Sequence, residues 1–290
     1  MTNLKLNSKE RFKIETCPCG KSNKDGKFVP FEGHTNFGFC HSCAETILPN
    51  HTKMSDAEYN AQIERKQEIQ YIPSPYLTKS IGRFRNNNLL RFLERTFGLE
   101  KTNDVSELYK IGDSKNWFGS TIFWQIDKNN NVRTGKIMLY NKNNGKRIKE
   151  PYDHINWVHS KLKIPNESID KCLFGEHLLN QFPEKTVAIV ESEKTAIIAS
   201  LFFPNFIWMA TGGISNLSYN KLKALIGRSI VLFPDLCAHE KWINIIQPLE
   251  KLFKITVSDY LEKNATPQDK LDKYDLADYL LSFKKNGFLD

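Results

Sequence analysis

Residues 185–194 read KTVAIVESEK, and this stretch decides the fold class. The apolar run up to Val190 is typical of a strand buried on both faces, and the residues after Glu191 favour a helix. Further apolar strands are predicted at 206–210, 229–233 and 254–258, and helices at 193–202, 217–226 and 238–253. This alternation predicts a parallel sheet covered by helices on both faces, which is the α/β class.

Acidic side chains follow two of these strands. Glu191 ends the first strand and Asp235 ends the third. Because ligands of open α/β sheets bind beyond the carboxyl ends of the strands, we expect both side chains to enter one crevice. Asp275 and Asp278 begin a predicted final helix, where each acid either joins the crevice or only stabilises the helix start. Clustered carboxylates suit Mg²⁺ or Mn²⁺, which neutralise and orient phosphates.

The composition excludes several classes of protein. Of the 290 residues 40% are hydrophobic, which is enough to build ordinary cores and excludes wholesale disorder. The 41 Lys and Arg exceed the 33 Asp and Glu, and the net charge of +8 favours a polyanionic partner. No apolar run approaches the roughly 20 residues of a membrane span, and the N-terminus has no apolar stretch of signal-peptide length. We therefore expect a soluble cytoplasmic protein.

Four cysteines near the N-terminus form two close pairs, Cys17 with Cys19 and Cys40 with Cys43. In a chain of the cytosol this arrangement indicates a metal site rather than disulfides. Four thiolates suit a tetrahedral structural Zn²⁺ site, and the residues between the pairs predict a short hairpin.

Other interpretations of this segment stay open. One residue separates Cys17 from Cys19, whereas two residues separate the cysteines of a common ribbon knuckle, so His34 or His41 is an alternative ligand. A further alternative is that all four cysteines are buried and bind no metal. The isolated Cys172 and Cys237 are interpreted as ordinary apolar residues. The segment also carries lysines and Phe28, Phe31, Phe37 and Phe39, which suit stacking of single-stranded nucleic acid or, for two of the four, a small core.

The remaining sequence divides into a linker and a basic middle region. A helix is predicted over 55–70, ended by Pro73 and Pro75, and a second helix from Asn88 to 97. Residues 120–127 and 132–140 predict an antiparallel strand pair. The predicted divisions are a zinc ribbon over 1–52, a helical linker over 53–80, a mixed α+β subdomain over 81–183 and the parallel-sheet domain over 184–290.

Basic residues cluster in this middle region. They are either a solvated face or a groove that follows a nucleic-acid backbone. The candidates for nucleic-acid contact are Arg83, Arg85, Arg133, Lys136, Lys146, Arg147 and Lys149.

The strand-end acids resemble those of the Toprim domain, which bacterial primases, type IA and II topoisomerases and several nucleases share. Glu191 matches the Glu after the first strand of that domain, and Asp235 matches the first Asp of its Asp-x-Asp motif. The motif's second Asp corresponds to Cys237. The order of zinc ribbon, basic subdomain and Toprim-like domain resembles bacterial primases in particular, and the whole chain resembles a bacterial family of Toprim-like proteins with an N-terminal Cys-Pro-Cys-Gly ribbon.

The resemblance implies three alternative functions. The first is a primase-type nucleotidyltransferase that synthesises primers on single-stranded DNA, with Glu191 and Asp235 as catalytic and Mg²⁺- or Mn²⁺-binding residues, Asp275 or Asp278 as further ligands, and a replicative helicase as a partner. The second is a catalytically degenerate DNA-binding protein of a replication or mobile-element system. The third is a Toprim nuclease.

Overall fold

The computed structural model describes residues 5–17, 21–42, 45–47, 69–82 and 86–285. The chain forms two compact units, Met1–Lys66 and Gln67–Asp290. The finer divisions at 52, 80 and 183 stay predictions. No helix among the described residues is long and apolar enough to cross a membrane.

The first unit contains a small antiparallel sheet with the strand order β1 (Phe28–Pro30), β2 (Gly38–Cys40) and β3 (Glu45–Ile47). The first two strands confirm the predicted hairpin between the cysteine pairs. Buried Asn23 fixes the approach to it, since the Phe28 N–H donates to Asn23 Oδ1 at 2.6 Å and Asn23 Nδ2 donates to the Ile14 carbonyl at 3.1 Å.

The second unit begins with an antiparallel sheet whose strand order is β4 (Gly112–Ser114), β5 (Ser120–Ile126), β6 (Val132–Met138) and β7 (Ile155–Trp157). The central pair confirms the predicted strand pair. Asp127 holds the turn between these strands, because its Oδ1 accepts the N–H groups of Asn129 and Asn131, both at 2.9 Å.

Short helices flank this sheet: α1 (Ser74–Ser80), α2 (Asn88–Phe97), α3 (Leu99–Leu108) and α4 (Val158–Lys161). Helix α2 begins and ends as predicted. Its N-cap is Asn87, whose side chain accepts the N–H groups of Leu89 and Leu90.

The two prolines lie at the start of a helix. The helix predicted over 55–70 lies almost wholly outside the described residues, whereas Pro73 is the N-cap of α1 and Pro75 lies in its first turn. A proline is tolerated there because the first-turn N–H groups have no partner within the helix. Helix α3 was not predicted.

The last part of the chain confirms the predicted parallel sheet. Its strands are β8 (Val187–Val190), β9 (Ile207–Ala210), β10 (Ser229–Leu232) and β11 (Lys254–Val257), in the order β11-β10-β8-β9. The described helices of this part are α5 (Glu193–Phe202), α6 (Tyr219–Leu222), α7 (His239–Ile246), α8 (Tyr260–Asn264), α9 (Pro267–Leu271) and α10 (Leu276–Lys285). Two helices are shorter than predicted. The helix predicted over 217–226 ends at Leu222 and continues as a 3₁₀ turn. The helix predicted over 238–253 ends at Ile246 and continues as a 3₁₀ turn that contains Pro248.

The two sheets of the second unit share one hydrophobic core. Phe123 and Met138 of the antiparallel sheet belong to the same buried cluster as the strands of the parallel sheet. Tyr109 joins them as well, since its hydroxyl donates to the Trp208 carbonyl at 3.0 Å and its ring stacks on Phe174 at 5.3 Å. This shared core fixes the position of β6 relative to the ends of β8 and β10.

Candidate active site

Glu191 and Asp235 lie at the carboxyl ends of two neighbouring strands. Strands β8 and β10 pair directly, with Ile189 opposite Leu232, and β9 lies on the other side of β8. After β8 the chain adds β9 on one side of it and then crosses to add β10 on the other side. The switch point between β8 and β10 is where open α/β sheets bind ligands. Both acids line a cleft of about 230 Å³.

Asp275 lines the same cleft, and its carboxylate is fixed by two hydrogen bonds. Thr195 Oγ1 donates to Asp275 Oδ2 at 2.8 Å, and the Asp278 N–H donates to Asp275 Oδ1 at 2.8 Å. Asp275 therefore stabilises the start of α10 and also lies at the cleft. Ser192 caps α5 from the same side by accepting the Thr195 N–H at 3.1 Å.

The four acids act on one another electrostatically. Burial and the charges of Asp275, Glu191 and Asp278 together raise the pKa of Asp235 to about 7, against the opposing effect of Lys194. Burial and the charge of Asp275 also raise the pKa of Asp278, although Lys194 Nζ lies 3.8 Å from its carboxylate. The cluster of Glu191, Asp235, Asp275 and Asp278, called the acid cluster below, thus holds more negative charge than its surroundings neutralise.

A buried ion pair forms the opposite wall of the cleft. Lys136 Nζ of β6 lies 3.1 Å from Glu193 Oε2 of α5, and both side chains are almost completely buried. Lys136 also contacts the Gly212 carbonyl at 3.5 Å. Gly212 has a φ of 74°, and a Cβ there would lie 3.1 Å from Glu193 Oε1, so a residue with a side chain is disfavoured on both counts.

The structure separates the predicted nucleic-acid contacts into two groups. Lys136 and Arg133 hold ion pairs inside the unit, the second through Arg133 Nε and Asp127 Oδ2 at 2.7 Å. A nucleic acid would have to break these pairs in order to bind either residue. Lys146, Arg147 and Lys149 are exposed, and Arg147 lines the acid-cluster cleft. Arg83 and Arg85 lie outside the described residues.

The two isolated cysteines differ. Cys172 is buried, as an ordinary apolar residue would be, but Cys237 is exposed, so the interpretation of Cys237 was wrong. Cys237 has a φ of 67°, and its N–H donates to the Glu262 carboxylate at 2.6 Å. The site therefore has no carboxylate at position 237.

Two of the four candidate zinc ligands lie in the described part of the first unit. Cys17 and Cys40 are 3% and 1% exposed and belong to one small cluster with Phe28. Cys19 and Cys43 lie outside the described residues. Among the alternative ligands, His34 is half-buried and His41 is exposed beside Phe39.

The phenylalanines of this segment differ in burial, and the predicted stacking on nucleic acid stays a prediction. Phe28 and Phe31 are buried, which confirms the small core for two of the four, and Phe37 and Phe39 are partly exposed.

The described residues contain no group of three or more His, Cys, Asp or Glu side chains placed to hold a metal ion. In the first unit only two of the four predicted zinc ligands, Cys17 and Cys40, are among the described residues, so the described part of the chain does not include the complete set. In the second unit, Mg²⁺ commonly needs only one or two carboxylates, because water and substrate phosphates complete its coordination.

Sequence comparison assigns the chain to a family. The family described as a domain of unknown function (DUF6371) matches residues 87–236, which include β4 to β10 and both Glu191 and Asp235. The chain belongs to this family. No curated protein matches the sequence.

Several solved structures of primases resemble the fold. The primase fragment of the bacteriophage T7 primase-helicase protein is 15% identical, with a TM-score of 0.40 over 90% of this chain and 97% of that one. The RNA polymerase domain of Mycobacterium tuberculosis primase is 12% identical, with a TM-score of 0.38 over 78% and 80%. The zinc-binding and RNA polymerase domains of Aquifex aeolicus primase are 12% identical, with a TM-score of 0.34 over 85% and 64%. All three TM-scores lie below 0.5, so we base the proposed function on the residues of the acid cluster.

Proposed function

We propose that this protein is a primase-like nucleotidyltransferase that joins nucleotides on single-stranded DNA at the acid cluster. The observation that carries the proposal is the convergence of Glu191, Asp235 and Asp275 at the switch point of a parallel sheet, where the pKa of Asp235 is raised to about 7. Uncompensated buried carboxylates lower the stability of a protein, and a cation removes that cost when it binds.

The acid cluster fits a hard divalent cation. Its donors are carboxylate oxygens and its net charge is negative. One or two of Glu191, Asp235 and Asp275 would hold Mg²⁺ or Mn²⁺, and water and substrate phosphates would complete the coordination. The bound ion would neutralise and orient the phosphates of a nucleotide.

The protein's own residues would position the reacting groups. Glu191 lines the cleft and would accept the proton of the hydroxyl that attacks the α-phosphorus of a nucleoside triphosphate and displaces pyrophosphate. Arg147 lines the same cleft and would bind phosphate oxygens. The Lys136–Glu193 pair would hold β6 against α5 and so keep the basic subdomain beside the acids.

We also propose a structural Zn²⁺ in the first unit, held by Cys17, Cys19, Cys40 and Cys43. Its support is the burial of Cys17 and Cys40 in one cluster, since the thiolates of a closed zinc site are buried close together. The zinc-bearing unit would engage the template, and a replicative helicase would be a partner in the cell.

Cys237 favours a second candidate function, that of a DNA-binding protein without catalysis. The exposed thiol replaces one carboxylate of the Toprim pattern, and fewer carboxylates weaken the affinity for a divalent cation. In this case the same surfaces would bind DNA and no nucleotide would be transferred.

Template-dependent extension tests the proposal. Labelled nucleotides, single-stranded DNA and Mg²⁺ or Mn²⁺ are incubated with the wild type, with Glu191→Gln and with Glu240→Gln, a control on an exposed residue of α7. We expect product from the wild type and the control only, with equal DNA affinity for all three proteins. Equal product from Glu191→Gln would refute the assignment of Glu191.

The other outcomes separate the alternatives. Template shortened by the wild type alone would indicate the nuclease. DNA binding without extension or cleavage, also after addition of a replicative helicase, would indicate the non-catalytic protein.

A further inference from the structure

The antiparallel sheet of the second unit leaves part of one face open. Phe123 and Met138 on one face belong to the shared core, whereas Ile122, Trp124 and Ile137 belong to a separate cluster on the other, outer face. The short helices α1 and α4 pack near this outer face, together with the described residues Ile72, Leu162 and Ile164. A cleft of about 830 Å³ remains there, which we call the outer-face cleft.

The floor of the outer-face cleft is apolar and fixed. Ile122, Ile137 and Val158 line it together with Trp124, whose indole N–H donates to Ser80 Oγ at 2.9 Å. Glycines make room for the indole: a Cβ at Gly112 would lie 2.7 Å from Trp124 Nε1, and one at Gly135 would lie 3.0 Å from Trp124 Cε3. The chain thus preserves a preformed apolar surface there.

The rim of the cleft carries two exposed aromatic rings. Phe118 is 82% exposed and is the most exposed of the large hydrophobic residues that the structure describes, and Tyr76 is 48% exposed. Exposing a phenylalanine to water costs free energy in proportion to the apolar surface that water contacts. A ring held in this position beside a fixed apolar floor indicates a surface that a ligand covers.

Three lysines share this rim: Lys79, Lys115 and Lys161. All three are exposed, and none forms an ion pair with a residue in the described part of the chain. The acid of the lining is Asp113, and its Oδ1 accepts a hydrogen bond from Asn87 at 2.9 Å. The rim therefore attracts an anion.

We infer that the outer-face cleft binds a segment of single-stranded nucleic acid, with bases stacked on Phe118 and Tyr76 and phosphates bound by the three rim lysines. Exposed rings interleaved with cations are the combination that single strands need, since every base offers an aromatic face and every linkage a negative charge. An acidic peptide would use the lysines without needing the rings. The inference rests on the proposed function, in which the chain acts on single-stranded DNA, and it adds a site made of residues outside the acid cluster.

Fluorescence anisotropy with a labelled single-stranded oligonucleotide of about 12 nucleotides tests the rings, within the ~4–16-nucleotide sites known for such surfaces. Phe118→Ala should weaken binding about 5- to 150-fold, because one stacked base is lost. Phe118→Trp should bind within about 2-fold of the wild type, since the larger ring still stacks. Equal affinity of Phe118→Ala and the wild type would refute the inference, as would a wild type that does not bind.

The lysines are tested through the salt dependence. Replacing Lys79, Lys115 and Lys161 together by Glu should make the salt dependence weaker. The negative slope of log affinity against log salt should decrease in magnitude by about 2, at ~0.7 for each phosphate contact to a single strand. Lys101→Glu, an exposed position of α3, is the matched control and should leave the slope within about 0.7 of the wild type. An unchanged slope in the triple variant would refute the phosphate contacts.

Two further measurements separate this inference from the proposed function. Asp235→Asn should bind the oligonucleotide like the wild type while losing template-dependent extension. If the wild type does not extend the template but its affinity for the oligonucleotide still depends on Phe118, only the proposed function is refuted. A polyglutamate peptide that competes as well as DNA, with no effect of Phe118→Ala on either ligand, would assign the cleft to an acidic protein partner and refute the inference.

Discussion

Asp235 should lower the stability of the metal-free protein at neutral and alkaline pH. The rise of its pKa from the ordinary 3.8 to about 7 corresponds to about 4 kcal/mol of unfolding free energy, at ~1.36 kcal/mol per pH unit. The folded state binds the proton more tightly than the unfolded state, so stability decreases as the pH rises from about 4 to about 7. Asp235→Asn removes the charge at nearly constant shape and should remove the part of this dependence that Asp235 causes, while the raised pKa of Asp278 keeps its own part.

The expected difference between the two proteins therefore depends on pH. At pH 8 the variant should be more stable by up to about 4 kcal/mol, and near pH 4, where the wild-type carboxyl is protonated, the two should be equal. Mg²⁺ should reduce this difference, because an ion at ~100 times its Kd stabilises the wild type by about 2.7 kcal/mol.

Urea unfolding followed by the fluorescence of the five tryptophans measures these free energies, in Mg²⁺-free buffer at several pH values. Asp272→Asn, at an exposed acid, controls for the removal of a negative charge and should change stability equally at both pH values. A wild type as stable as Asp235→Asn at pH 8, or a difference independent of pH, would refute the electrostatic account of the acid cluster.

Three other changes test the structure and the zinc site. Lys136→Met should cost about 3–5 kcal/mol in chemical unfolding because it leaves the buried Glu193 carboxylate alone, and the double variant with Glu193→Gln should regain most of it; an equally unstable double variant would contradict a paired role. Asn87→Ala should cost about 2–4 kcal/mol in the same assay, since Asn87 caps α2 and also accepts from the Thr121 hydroxyl, and a loss below about 0.5 kcal/mol would argue against the cap. Cys40→Ser should release the Zn²⁺ of the first unit to a colorimetric chelator, and full zinc retention would exclude Cys40 as a ligand.

The strands and the ends at which the acids lie follow from the amino-acid sequence. A buried strand is encoded by its own apolar run, so β8 and the helix over Glu193–Phe202 follow from local pattern alone. Because the ends of parallel strands meet at one edge, the sequence also predicts that Glu191 and Asp235 approach each other. The sequence did not determine whether Pro73 and Pro75 follow one helix or begin the next, because proline is excluded only from the interior of a helix.

The residues that complete the site become visible in the folded chain. Lys136 pairs with Glu193 across 57 residues of sequence, and Thr195 holds Asp275 across 80. Neither contact has a local signal, because each depends on how two separately encoded elements pack on a common core. The same holds for the outer-face cleft, which exists because α1 and α4 are too short to cover the sheet on which they pack.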